Sequence, residues 1–307
     1  MEIYLPIAEL SANLFLLAGL GLATGFLSGL LGVGGGFLMT PLLIFIGVPP
    51  AVAVSTQANQ LVAASSSGAI ASWRRDRLDL RMGIVMVVGG LIGSSLGVWL
   101  FKLLARLGQV ELVISLSYVL LLGLIGGLML FESLRAALRA RPALPQRRAG
   151  RHPRWVRILP LRMRFYRSRI YVSVLVPFGI GLLVGVLVAI MGVGGGFIIV
   201  PAMIYLLGMP TAMVAGTSLF QIVFVTANVT FLQAVDTHTV DIVLAFVTFV
   251  GGAIGAQFGV RVSDRLRGEQ IRAILAILLL AVAGKLVWDL VVPPHDLYSI
   301  IVRRTSL

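Results

Sequence analysis

The sequence predicts an all-α polytopic membrane protein made of two inverted repeats, with helices that are broken or re-entrant at a glycine motif. Three observations carry that prediction. The 307 residues are 58% hydrophobic and 12% charged, with a mean hydropathy of +1.01, whereas a soluble domain carries about 25% charged residues. Apolar runs at 10–31, 82–101, 112–130, 170–191, 241–260 and 271–291 approach or exceed the roughly 18–20 residues of a membrane span. The string Gly-Val-Gly-Gly-Gly-Phe occurs twice, at 32–37 and 192–197, each time at the end of an apolar run and four residues before a proline.

Composition narrows the class further. The absence of cysteine excludes disulfides and thiolate metal sites within these residues. The net charge of +13 is not distributed as in a nucleic-acid binder. Twelve arginines between positions 135 and 169 face a single nearby acid, Glu132. Such a block beside membrane spans marks a cytoplasmic loop in contact with anionic membrane lipids, and nucleic acid is not expected as a partner. Trp155 and Phe165 among those arginines suit a segment lying on the membrane surface. No basic region precedes the first run, which therefore reads as a retained helix and not a leader.

Taken in order, the first helix is expected over 10–31, with Gly21, Gly25 and Gly29 on one face where another helix can approach closely. The glycine break follows, then a piece at 37–46 that is too short to span if straight, ended by Gly47-Val48-Pro49-Pro50. The next piece, 51–73, carries Ser55, Thr56, Gln57, Asn59, Gln60, Ser65, Ser66 and Ser67. That polarity is costly against lipid and places the helix toward the protein interior or a water-filled path. A basic turn at 74–81 contains Asp76 and Asp79; helices over 82–101 and 112–130 complete the half.

The second half repeats the first. Gly32 matches Gly192 and Pro41 matches Pro201 at an offset of 160; Thr56 matches Thr217 and Gln60 matches Gln221 at 161; Asp79 matches Asp241 and Gly89, Gly93 and Gly97 match Gly251, Gly255 and Gly259 at 162. The glycine ladders read as packing faces. The expected organisation is a first membrane repeat at 1–131, an arginine-rich cytoplasmic linker at 132–169, a second repeat at 170–292 and a tail at 293–307. Lys and Arg place the turn at 74–81 inside, whereas its counterpart at 233–240 has neither and belongs outside. Repeat-equivalent turns on opposite sides predict inverted halves with both termini outside, although Arg303 and Arg304 run against that. Each half has five helical pieces, and the pair flanking the break forms either two thin crossings or a re-entrant hairpin.

Glycine breaks leave backbone amides without helix partners, and these need satisfaction where lipid cannot reach. Two inverted half-helices starting near Phe37 and Phe197 would aim their positive ends at a shared small-anion site. The candidate substrate-binding residues are Gly34, Gly35, Gly36, Gly194, Gly195 and Gly196 from the breaks, with Thr56, Gln57, Asn59, Gln60, Thr217, Ser218 and Gln221 from the polar helices. The four-residue spacing of Thr56 to Gln60 and of Thr217 to Gln221 puts each pair on one face. The alternatives are tight packing for the glycines and interhelical hydrogen bonding for the amides and hydroxyls. Lys285 and Asp289 read as a pair near a helix end. His238 with Asp236 and Asp241 resembles a metal cluster only loosely and reads as a solvated loop. No catalytic residue, metal or cofactor is expected.

On Gly29-Leu30-Leu31-Gly32-Val33-Gly34-Gly35-Gly36-Phe37 with Pro41, on Ala189-Ile190-Met191-Gly192-Val193-Gly194-Gly195-Gly196-Phe197 with Pro201, and on Ala53-Val54-Ser55-Thr56 with Val214-Ala215-Gly216-Thr217-Ser218, the chain resembles the sulfite exporter family typified by TauE and SafE. That resemblance covers almost everything from Leu16 to Val291. It implies a multi-pass inner-membrane secondary transporter, an exporter of a small sulfur-containing or organic anion such as sulfite or a sulfonate, coupled to a proton or another ion. A homodimer is one expected form of the assembly. The alternatives are a passive anion channel and, further off, a membrane-embedded enzyme, for which the residues offer no nucleophile, base or metal set.

Overall fold

The computed structural model describes residues 2–31, 36–138, 161–168, 170–236, 241–263 and 268–292. Each half opens with a short antiparallel hairpin, β1 (Glu2–Leu5) with β2 (Leu10–Asn13) and β3 (Arg162–Phe165) with β4 (Ile170–Ser173). Five helices follow each. They are α1 (Leu14–Leu31), α2 (Gly36–Phe45), α3 (Pro50–Arg74), α4 (Leu80–Arg106) and α5 (Val110–Leu138), then α6 (Leu175–Met191), α7 (Gly196–Tyr205), α8 (Thr211–Asp236), α9 (Ile242–Ser263) and α10 (Gly268–Val291).

The hairpins correct the sequence reading. Residues 10–13 and 170–173 begin the apolar runs as strands, and the helices start only at Leu14 and Leu175. Phe165, expected on a membrane surface, is instead fully buried, as is its counterpart Leu5. The duplicated unit thus reaches back to positions 2 and 162, and α5 runs on to Leu138. Trp155 and residues 139–160 lie outside the described residues.

Helices exchange partners between halves. The first helix of each half packs on the fourth of the other, α1 on α9 and α6 on α4, while α3 packs on α8 and α5 on α10. Glycine makes the first two contacts so close. A Cβ built on Gly93 would stand 2.0 Å from the Leu182 carbonyl oxygen, and one on Gly255 2.0 Å from that of Leu22. In the other direction, Gly185 would meet Gly90 O at 2.4 Å and Gly25 would meet Gly252 O at 2.1 Å. The backbones are in contact over whole turns, the small-residue mode of helix association in membranes. Residue numbers rise together along both pairs, so they run parallel. Gly68 lies against Leu219 and Gly216 against Ser72 and Arg77, so α3 and α8 run antiparallel.

The outward faces are apolar. Ile84, Val88, Ile92, Leu96, Trp99 and Leu103 form an exposed stripe along α4. Leu112, Leu116, Leu120, Leu124 and Leu128 do so on α5, and Ile242, Phe246, Val250, Ile254 and Phe258 on α9. Helix-spaced apolar side chains pointing away from the protein need a hydrocarbon solvent. Among the described residues, three helical segments are long and apolar enough to cross a membrane, Leu80–Arg106, Met213–Val235 and Ile242–Gly259. The 27 residues of α4 extend about 40 Å at 1.5 Å per residue, beyond the ~30 Å hydrocarbon core. Shorter apolar helices accompany them at Leu14–Leu27, Gly36–Phe45, Leu112–Leu128 and Leu175–Met191.

Candidate functional site

The second glycine segment is described throughout. Gly192 caps α6 in the left-handed region (φ 69°), donating its amide to Val188 O at 2.8 Å. Gly194 (φ 71°) and Gly195 (φ 69°) continue the turn, and Gly195 is the N-cap of α7. Only glycine takes these angles without steric cost. The amides of Ile198 and Ile199 both return to Gly195 O, at 3.0 and 2.8 Å. Those of Gly196 and Phe197, ahead of them, have no carbonyl four residues back on the helix to reach.

The first break meets the second here. Gly36 is buried at the start of α2, and a Cβ on it would stand 2.9 Å from Val193 O. The rings of Phe37 and Phe197, each one residue beyond its glycine run, lie 5.8 Å apart between centroids. Helix α3 covers the junction: Val54 O would be 2.6 Å from a Cβ on Gly192, and Leu61 Cδ1 2.6 Å from one on Gly194 and 2.7 Å from one on Gly36. Gln57 is on that same face, three residues after Val54 and four before Leu61. Gly34 and Gly35 lie outside the described residues.

The polar side chains divide into two groups. Thr56 Oγ1 accepts the amide of Asp241 at 3.1 Å, and Thr217 Oγ1 accepts that of Asp79 at 3.1 Å while donating to Met213 O at 2.8 Å. Both threonines are fully buried and tie one half to the other. Ser218 donates to Ala215 O within its own helix, at 3.0 Å. The glutamines are different. Gln60 donates through Nε2 to Thr248 O at 3.1 Å. Among the described residues its Oε1 has no partner, and neither has Gln57 Oε1 nor either amide atom of Gln221. Gln57 is 3% exposed and Gln221 0%. Buried amide groups without partners are costly. Asn59 is half-buried on α3.

Asp79 and Asp241, read from sequence as turn residues, are buried and structural. Asp79 caps α4, with Oδ1 accepting the Met82 amide at 3.2 Å and Oδ2 accepting the Ser168 amide at 3.0 Å and hydroxyl at 2.6 Å. Asp241 caps α9, accepting the Leu244 amide at 3.0 Å and the Ile7 amide at 3.1 Å. Each thus holds the hairpin turn of the opposite half. Their shared offset with the glycine ladders and their place just before a helix were the signals available. Residues 237–240, including His238, lie outside the described residues, so the loose cluster with Asp241 is not described; Asp241 itself is not solvated. Tyr118, also not anticipated, donates to Met191 O at 2.7 Å and secures the end of α6 just before the break. Lys285 pairs with Asp289 and lies over the Phe45 ring at 5.2 Å.

A helical protein with several apolar spans, an apolar exterior, paired helix breaks and unpartnered amide atoms buried on its polar helices is a multi-span membrane protein of the transporter class. The family model described as Sulfite exporter TauE/SafE matches residues 17–286, and the chain belongs to that family of membrane transporters. It is 30% identical over 280 residues to a probable membrane transporter protein of Xylella fastidiosa strain 9a5c, covering 90% of this chain and 95% of that one. It is 27% identical over 271 residues to the probable membrane transporter protein YjnA of Bacillus subtilis, covering 87% and 97%. A shorter stretch of 95 residues, 31% of this chain and 20% of the other, is 32% identical to Sulfite exporter TauE/SafE family protein 3 of Arabidopsis thaliana. No solved structure matches the chain.

Proposed function

We propose that the protein is a secondary transporter, working as an exporter of a small sulfur-containing or organic anion such as sulfite or a sulfonate across the inner membrane. The observation that carries this reading is the junction of Gly36 with Val193 and of Phe37 with Phe197, covered by the face of α3 that carries Gln57 with its buried, unpartnered Oε1. Helix starts at a buried site favour anions through their free amides and dipoles. In this reading Gly194, Gly195, Gly196, Gly36, Gln57, Gln60 and Gln221 contact the cargo, with Gly34 and Gly35 completing the first break. Thr56 and Thr217 hold the polar helices from behind, and Asn59 and Ser218 border the path.

The antiparallel course of α3 and α8 supports two inverted repeats, the architecture in which a central site is exposed to each side in turn. Charge supports the orientation. Arg167 pairs with Asp76 at 2.9 Å, joining the arginine-rich segment to the basic turn at 74–81. The opposite end joins Ile7 to Asp241, with no Lys or Arg in 1–13 or 233–241. The basic end is cytoplasmic and meets anionic lipid.

The test is flux into proteoliposomes of sulfite and of taurine-like sulfonates, with and without a proton gradient. Gradient-driven accumulation is expected. Flux that only dissipates a solute gradient would make the protein a passive channel, and absence of flux for every anion would remove the transport reading.

A further inference from the structure

We propose that the second hairpin and the start of α4 form a site for the phosphate of an anionic phospholipid, built on Arg81, Arg164 and Tyr166; it rests on the orientation given above and not on the identity of the cargo. The guanidinium carbons of Arg81 and Arg164 lie 5.1 and 5.6 Å from the centre of the Tyr166 ring, within the range of a cation–π contact. One ring in the β3–β4 turn thus gathers two cations, and all three side chains are exposed. Neither cation has an acidic partner among the described residues. Asp76 pairs with Arg167, and the Asp79 carboxylate is spent on Met82 and Ser168. Two positive charges held together and left unneutralised suit an anion, and guanidinium groups take the oxygens of a phosphate through paired N–H donors.

The fold itself does not require these residues. The strand registers pair Leu5 with Leu10 and Phe165 with Ile170, so Tyr4 stands at the position of Arg164 and Pro6 at that of Tyr166. Helices α4 and α9 each begin one residue after a capping aspartate, which sets Val243 at the position of Arg81. The first hairpin follows the same plan with none of the three.

What continues from Arg81 identifies the ligand. Ile84 and Val88, three and seven residues further on, open the exposed apolar stripe of α4. A phosphate held at Arg81 is therefore at the head of a strip that fits an acyl chain, for which a free phosphate has no use. Tyr171, paired with Arg164 across the hairpin, is also exposed, and such amphipathic rings sit at headgroup level. A need for cytoplasmic positive charge alone calls for neither the ring nor the guanidinium shape.

The test is thermal melting of the full chain in detergent with added phosphatidylglycerol or phosphatidylcholine. Phosphatidylglycerol in excess should raise the midpoint by about 5 °C over phosphatidylcholine. Arg81→Lys combined with Arg164→Lys keeps both charges and loses the planar forks; Tyr166→Leu keeps both arginines and loses the ring. Each should remove at least half of the difference, while the midpoint in phosphatidylcholine stays within about 2 °C of the parent, as for other surface substitutions. Arg74→Lys combined with Arg75→Lys, at the nearby end of α3, should leave the difference intact. No difference between the lipids, a difference that survives both the lysine pair and Tyr166→Leu, or one that falls equally in the Arg74 and Arg75 variant, overturns the site. An equal shift with glycerol phosphate overturns the lipid as its ligand. Arg74→Cys supplies the sole thiol among these residues and reports the orientation separately. Labelling by an impermeant reagent is expected from the cytoplasmic face only, and labelling from the outer face would overturn the orientation whatever the melting shows.

Discussion

Asp79 and Ser168 stand 89 positions apart, yet Asp79 Oδ2 takes both the amide and the hydroxyl of Ser168. The bond joins the start of α4 to the hairpin that opens the other half. Asp241 and Ile7 repeat the arrangement at the opposite end. Through the amides of the two aspartates, Thr217 and Thr56 link the same points to α8 and α3, which carry the candidate site.

Asp79→Ala strips acceptors from two buried amides and a buried hydroxyl. It should lower stability by about 3 kcal/mol or more, since each unsatisfied buried donor costs about 1–3 kcal/mol. Combined with Ser168→Ala the losses should fall short of additive by about 1 kcal/mol. Reversible denaturation in detergent of the single and double variants measures that coupling; strict additivity would mean that the contact contributes nothing.

Gly93→Ala and Gly255→Ala force a methyl group to 2.0 Å from a carbonyl oxygen of the facing helix, so the helices must part. A loss of about 2–3 kcal/mol is expected for each. Gly123→Ala and Gly127→Ala meet nothing within 4 Å and should be neutral or stabilising by up to ~1 kcal/mol through helix propensity. Thermal melting of the four proteins side by side decides the matter.

Gly194→Ala combines a left-handed backbone angle with a contact to Leu61 Cδ1 at 2.6 Å. Flux per folded molecule should fall at least about tenfold, the equivalent of ~1.4 kcal/mol, with a smaller effect on yield. Gly47→Ala serves as the control, being strained by its angle of 91° but open on every side and lying past the far end of α2 from the first break. Comparable flux in the two variants would count against the glycine break as the site.

Tyr118→Phe leaves Met191 O without its donor at the last residue of α6. The expected cost is about 1–2 kcal/mol, together with faster hydrogen exchange at Gly192–Gly195 if the bond steadies the turn. Unchanged exchange there would confine the effect to α5.

Much of this architecture was legible because it rests on period and duplication. The five helical pieces per half follow from the spacing of apolar runs, and the packing role of Gly89, Gly93, Gly251 and Gly255 follows from their four-residue spacing. The hairpins were not legible. Their strands are four residues long, Leu10 and Ile170 continue smoothly into helical hydrophobicity, and Glu2 and Glu9 are replaced by Arg162 and Arg169. The buried positions Leu5 and Phe165 keep their apolar character. The polar positions Thr56 and Gln57 are adjacent and alike in sequence, but one hydroxyl bolts the halves together and one carbonyl is left open. That difference depends on what lies opposite in space, which no local pattern records.

The exchange of partners between halves also sets a schedule for synthesis. α1 leaves the ribosome first, but the helix it is shaped to meet, α9, follows only after most of the chain, on the order of tens of seconds later at about 5–20 residues per second. During that interval Gly21 and Gly25 lack the α9 backbone that they contact in the folded protein. The first half made alone should therefore enter the membrane as loosely associated helices, and the protein acquires its fold near the end of translation.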